Sequence, residues 1–167
     1  MEKVINIINN ITERVGNFAG WFAVLMVIII SLDVIIRYLF NFTFIWIIEL
    51  EIYLFGFMFL LGSGYTLKHE KHVRVDVFYS KMSEKNKAIV DLIGGLIYLL
   101  PWSGIVVVAA WKYAYSSFLM GESSAQPGGL PALYILKFAI AIGFFLLLLQ
   151  GIAQILNSLN IIFKKKA

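Results

Sequence analysis

The chain has no cysteine and only two histidines, His69 and His72, among its 167 residues. Without cysteine there are no disulfides, no thiolate metal sites and no sulfur nucleophile, and the sequence carries no mark of a redox compartment. Charge is scarce too: 14% of residues are charged, against roughly 25% in ordinary soluble domains. What fills the chain is apolar, 60% of it, with a mean hydropathy of +0.85. A soluble fold of this size leaves too much surface exposed to hide that many apolar side chains. Bilayer lipid is the solvent that suits them. The length fits one domain, residues 1–167.

The missing residues also exclude chemistry. His69-Glu70-Lys71-His72 is one residue short of the spacing that places two imidazoles on one helical face for zinc, so it reads as a solvated or partner-facing loop and no metal is expected. No histidine lies within an apolar run, which removes the axial ligands that a haem-bearing redox anchor needs. No cluster of titratable groups suggests a shared pocket, so neither an enzyme nor a bound cofactor is expected. The net charge of +4 is read as loop charge in a membrane protein rather than as a nucleic-acid surface.

Four apolar runs, about 18–36, 45–67, 88–110 and 132–156, are each long enough to cross a hydrocarbon core of about 30 Å as a helix. The expected fold is all-α, a polytopic membrane protein of four transmembrane helices. Lys3 and Arg14 precede the first run, but it is longer than a signal-peptide core and no small-x-small cleavage site follows, so it reads as a retained helix. Basic residues sort strongly. Lys3, Arg14, six between the second and third runs and Lys164–Lys166 fall on one side; only Arg37, Lys112 and Lys137 fall on the other. That asymmetry predicts both termini and the middle loop in the cytoplasm. Val4, Ile8, Ile11 and Val15 recur at helical spacing, which suits either an interfacial amphipathic helix or an extension of the first span.

The ionisable residues of the spans fall near their ends. Asp33 precedes Arg37 by one turn and can pair with it. Glu49 and Glu51 point in different directions and make a poor carboxylate dyad. Lys137 can snorkel outward. A complete transporter keeps its site near the midplane, and no charge sits there, so the chain looks like part of one. Ser83 can cap the third helix, and small residues such as Gly16 and Gly20 can seat helix contacts. Residues 112–131 form the external connection. In it Pro127-Gly128 marks a turn, and Pro131 can occupy the first position of the fourth helix.

Several features occur in a telling order: Trp46-x-x-Glu49 at the start of the second helix, Gly62, His72-Val73-Arg74-Val75-Asp76 after it, Glu122-Ser123, and Pro127-Gly128-Gly129-Leu130-Pro131 before the fourth. In this the chain resembles the small membrane subunit of tripartite ATP-independent periplasmic (TRAP) transporters, the DctQ-like family, over nearly its whole length. Ile52 and Tyr53 depart from it where members often carry a basic residue. The resemblance implies a non-enzymatic scaffold in the bacterial inner membrane beside a large, sodium-coupled permease subunit, with a periplasmic substrate-binding protein delivering an organic acid. It also implies that Trp46 and Glu49 support the subunit interface, and that His72, Arg74 and Asp76 order the cytoplasmic loop. Glu122, Ser123, Pro127, Gly128, Gly129 and Pro131 would lie near the docked binding protein. The competing readings are a self-sufficient four-helix proton-coupled antiporter using Asp33 or Glu49, and a membrane anchor of a redox complex.

Overall fold

A computed structural model describes residues 1–69 and 79–163. Four long helices account for nearly all of them: α1 (Glu2–Phe40), α2 (Ile45–Lys68), α3 (Glu84–Leu119) and α4 (Tyr134–Phe163). All four are long and apolar enough to cross a membrane. The protein is all-α, as expected.

The first helix decides between the two readings of the N-terminal segment. Its 39 residues run as one helix, about 58 Å at 1.5 Å per residue, so the amphipathic segment extends the first span. Asn41 stops it in the left-handed conformation, φ 50°, with its N–H on the Arg37 carbonyl, a role asparagine fills more readily than most residues. Only four residues follow before α2 begins.

Two other boundaries move. The third helix extends outward through Leu119, so Lys112 is helical and the connection shrinks to residues 120–133. The fourth begins at Tyr134 rather than at Pro131. Ala132 adopts φ 65°, a left-handed conformation that no helical residue can share, so Pro131 belongs to the loop. Ser83 caps α3 as expected, accepting the Asn86 N–H at 3.3 Å. Within α3, residues Gly95–Leu99 form a π-helical turn. Pro101 follows two residues later; proline lacks the N–H that an α-helical interior requires and clashes with the preceding turn, which a π turn can accommodate.

The helices form an open array with α4 as its spine. α4 packs against α1, α2 and α3, whereas among the described residues α3 packs substantially on α4 alone. Burial follows that order: 39% of the most apolar stretch of α4 is buried, against 6% for α3. Small residues bring α2 and α4 together. A Cβ on Gly143 would lie 2.6 Å from the Leu60 carbonyl oxygen, and Ser63 donates to both Leu60 and Gly143 carbonyls. α3 meets α4 along a narrow edge of buried Gly95, Ser103, Ala110, Ala114 and Ser117. Gly16 fits against Tyr65, while Gly20 faces open space, so only half of that pair seats a contact. Outward faces carry exposed Trp21, Leu25, Phe59, Tyr98, Trp102 and Ile105, as a lipid-facing surface would.

Candidate functional site

The connection between α3 and α4 carries most of the residues singled out by sequence, and the structure gives it a definite shape. Pro127-Gly128 forms the expected turn: the Gly129 N–H bonds to the Gln126 carbonyl at 3.0 Å, and Gly128 has φ 79°. Proline second and a positive-φ glycine third are the requirements of a type II turn. The Ser124 N–H reaches the Leu130 carbonyl at 3.1 Å and the Leu133 N–H the Glu122 carbonyl at 3.0 Å. The loop therefore closes on itself.

Two acidic side chains fasten it to the helices. Glu49, one turn into α2, accepts hydrogen bonds from the Ser124 hydroxyl and from the Leu130 backbone N–H. Gly129 must be small beside it, since a Cβ there would lie 2.7 Å from Glu49 Oε2. Glu122 accepts from Ser117 Oγ at 2.6 Å and from the Lys137 ammonium. Those bonds, Lys137 first and Ser117 second, hold the Glu122 carboxyl below its ordinary range. Lys137 does not reach water as a snorkelling lysine would. It is 6% exposed, held by Glu122 and lying 3.9 Å from the centre of the Tyr113 ring. That ring and the carboxylate replace the hydration the ammonium gives up.

The predicted residues thus divide. Glu49, Glu122 and Gly129 form the inner fastening. Trp46, Ser123, Pro127, Gly128 and Pro131 are exposed around it, with Trp46 resting on Phe44. His72, Arg74 and Asp76 lie outside the described residues. Nearby, Asp33 pairs with Arg37 as expected and also accepts from Thr43 Oγ1 at 2.8 Å. It is 2% exposed and ties α1 to the segment before α2. Sequence reading passed over Thr43, Ser117 and Ser124, single hydroxyls whose partners are distant in the chain or lie across a turn. Glu51 differs from the other acids: its Oε1 is buried and has no hydrogen-bond partner in the structure.

At the opposite, basic end of the helices lies a polar network that the sequence did not announce. Lys68 bonds to Glu13 and to the Asn9 carbonyl, and His69 lies 3.0 Å from Glu13. Gln150 of α4 donates to Asn9 Oδ1 at 3.0 Å. Two glutamines inside an apolar run, Gln150 and Gln154, were the available signal.

What this arrangement can do is hold shape. Asp33, Glu49 and Glu122 each accept two hydrogen bonds that fix backbone or neighbouring helices, which leaves them poorly suited to exchanging protons with a substrate. Among the described residues no group of three His, Asp or Glu side chains could hold a metal ion. Comparison with known proteins places the chain in a family. Residues 26–160 match the family described as "Tripartite ATP-independent periplasmic transporters, DctQ component". The chain is also 25% identical over 134 residues to the C4-dicarboxylate TRAP transporter small permease protein DctQ of Vibrio cholerae serotype O1. That alignment covers 75% of this chain and 57% of the relative, so the chain spans somewhat over half of that protein's length.

Proposed function

The chain belongs to the DctQ-component family of tripartite ATP-independent periplasmic transporters, a membrane-spanning transporter component and not an enzyme, and on that premise we propose that it is the fixed scaffold of an organic-acid importer. Its neighbour is a large permease subunit that carries the substrate and sodium sites. A periplasmic substrate-binding protein delivers the acid to the face bearing the fastened loop. The one named relative handles a C4-dicarboxylate; a dicarboxylate, a sialic acid or a sugar acid suits the reading equally.

One observation carries it: the loop of residues 120–133 is closed on itself and fastened to the helix ends. Its one acidic group, Glu122, turns onto Ser117 and Lys137, Glu49 of α2 holds Ser124 and Leu130, and exposed Ser123, Ala125, Gln126, Pro127 and Gly128 carry no charge. A surface of that kind receives a partner by shape. In this reading both termini are cytoplasmic, the membrane is the bacterial inner membrane, and residues 1–167 act as one domain. Trp46 and the open flank of the array meet the permease. His72, Arg74 and Asp76 order the cytoplasmic connection.

The test is a mild-detergent purification of the tagged chain from its native cells, with mass spectrometry of what accompanies it. A stoichiometric many-helix permease supports the scaffold. A homodimer that transports alone in liposomes points instead to the antiporter reading.

A further inference from the structure

At the basic end, the four helices surround a cavity of about 500 Å³, within the range of sites that take small molecules or headgroups. Its polar lining is mostly uncharged: Asn6 and Asn9 from α1, and Gln150, Gln154, Asn157 and Ser158 from α4. Gln150 is 4% exposed; its amide N–H holds Asn9 and its carbonyl oxygen has no donor. Buried amides in an otherwise apolar helix array are costly unless they are paired.

The charges beside the cavity already have internal partners. Lys68 is held by Glu13, Lys87 by Glu84 at 3.4 Å, and Asp91 accepts from Tyr79 at 2.8 Å. Among the described residues, lysines and acids on the lining balance, two of each, and so favour neither an anion nor a cation. What remains is a set of amides and one hydroxyl that both donate and accept. Apolar side chains complete the wall, and one of them, Ile161 near the end of α4, is 39% exposed. An occupant can therefore be polar in the cavity and apolar along the helices.

We propose that this amide-lined cavity binds the headgroup of a zwitterionic phospholipid whose ammonium can donate hydrogen bonds, such as phosphatidylethanolamine. The primary ammonium donates to amide oxygens, and the phosphate and glycerol oxygens accept from amide N–H groups. The acyl chains leave past Ile161 onto the helix faces. Phosphatidylcholine is the discriminating control, because its trimethylated nitrogen keeps the charge and loses every N–H.

The experiment uses the full chain, purified, delipidated and reconstituted with one lipid at a time, reading the thermal unfolding midpoint and the lipid retained in native mass spectrometry. Phosphatidylethanolamine is expected to raise the midpoint and survive as a one-to-one adduct, with phosphatidylcholine and phosphatidylglycerol doing neither. Asn157→Leu, at an exposed position, and Gln154→Leu, at a half-buried one, should each weaken retention about fivefold, the loss expected for one hydrogen bond. Equal stabilisation by phosphatidylcholine or phosphatidylglycerol would overturn the proposal. So would equal stabilisation by soluble glycerophosphoethanolamine, or no lipid dependence at all. The readout needs no partner subunit, so its failure leaves the scaffold role standing and the reverse also holds.

Discussion

Glu49 is the residue on which the loop depends most directly, because it fixes a side chain and a backbone N–H at once. Glu49→Ala removes both acceptors, and hydrogen bonds to a charged group are each worth about 1.5–3 kcal/mol. The Leu130 amide should then exchange with deuterium at least about tenfold faster, while the helices keep their protection. Gly129→Ala should loosen the same contact by overpacking, at a cost of about 1–3 kcal/mol, read from the unfolding midpoint. Glu122 adds a pH dependence. Its folded pKa lies below the ordinary 4.5, so its stabilising effect is full above that value and is lost as pH falls through the folded pKa. Loop proteolysis should stay flat from neutral pH to about 5 and rise on further acidification, and Glu122→Gln should abolish that acid dependence. The pairing of Asp33 with Arg37 was legible in the sequence because the partners lie one helical turn apart. Glu49 with Leu130 was not, since nothing in local spacing ties positions 81 residues apart.

Among the elements, α2 and α4 cross closely, with Gly143 against the Leu60 carbonyl. Gly143→Leu should force the helices apart and lower the unfolding midpoint more than Gly20→Leu, whose position meets open space. Hydropathy located all four helices, because lipid demands about 20 apolar residues per span. It misjudged their ends where helices run past the apolar core. α1 extends to Glu2 and α3 to Leu119 because intrahelical hydrogen bonds continue wherever nothing breaks them, whatever the solvent. The start of α4 was misplaced for a conformational reason, the left-handed Ala132, which no composition reveals. The π turn before Pro101 was equally silent in the hydropathy pattern.

For the whole molecule, the distribution of Lys and Arg makes a firm demand on orientation. Reporter fusions at either terminus should register in the cytoplasm, and a reporter inserted beside Pro127 should register in the periplasm. The scaffold role makes another demand. Trp46→Ala, at an exposed position, should reduce recovery of the permease subunit with the tagged chain while leaving the chain's own unfolding midpoint nearly unchanged, whereas a purely internal role would lower the midpoint. The arrangement itself, with α4 between α2 and α3, was not readable from one chain, because apolar runs state only that helices meet lipid and not which neighbour each prefers. That central position has a consequence for biogenesis. The ribosome delivers α4 after the other three, so α1 and α2 can pair as soon as both have left the insertion machinery, but α3 must wait in the bilayer without a mate. A nascent chain stalled before Tyr134 would hold one finished hairpin and one orphan helix, an obvious substrate for membrane quality control until α4 arrives.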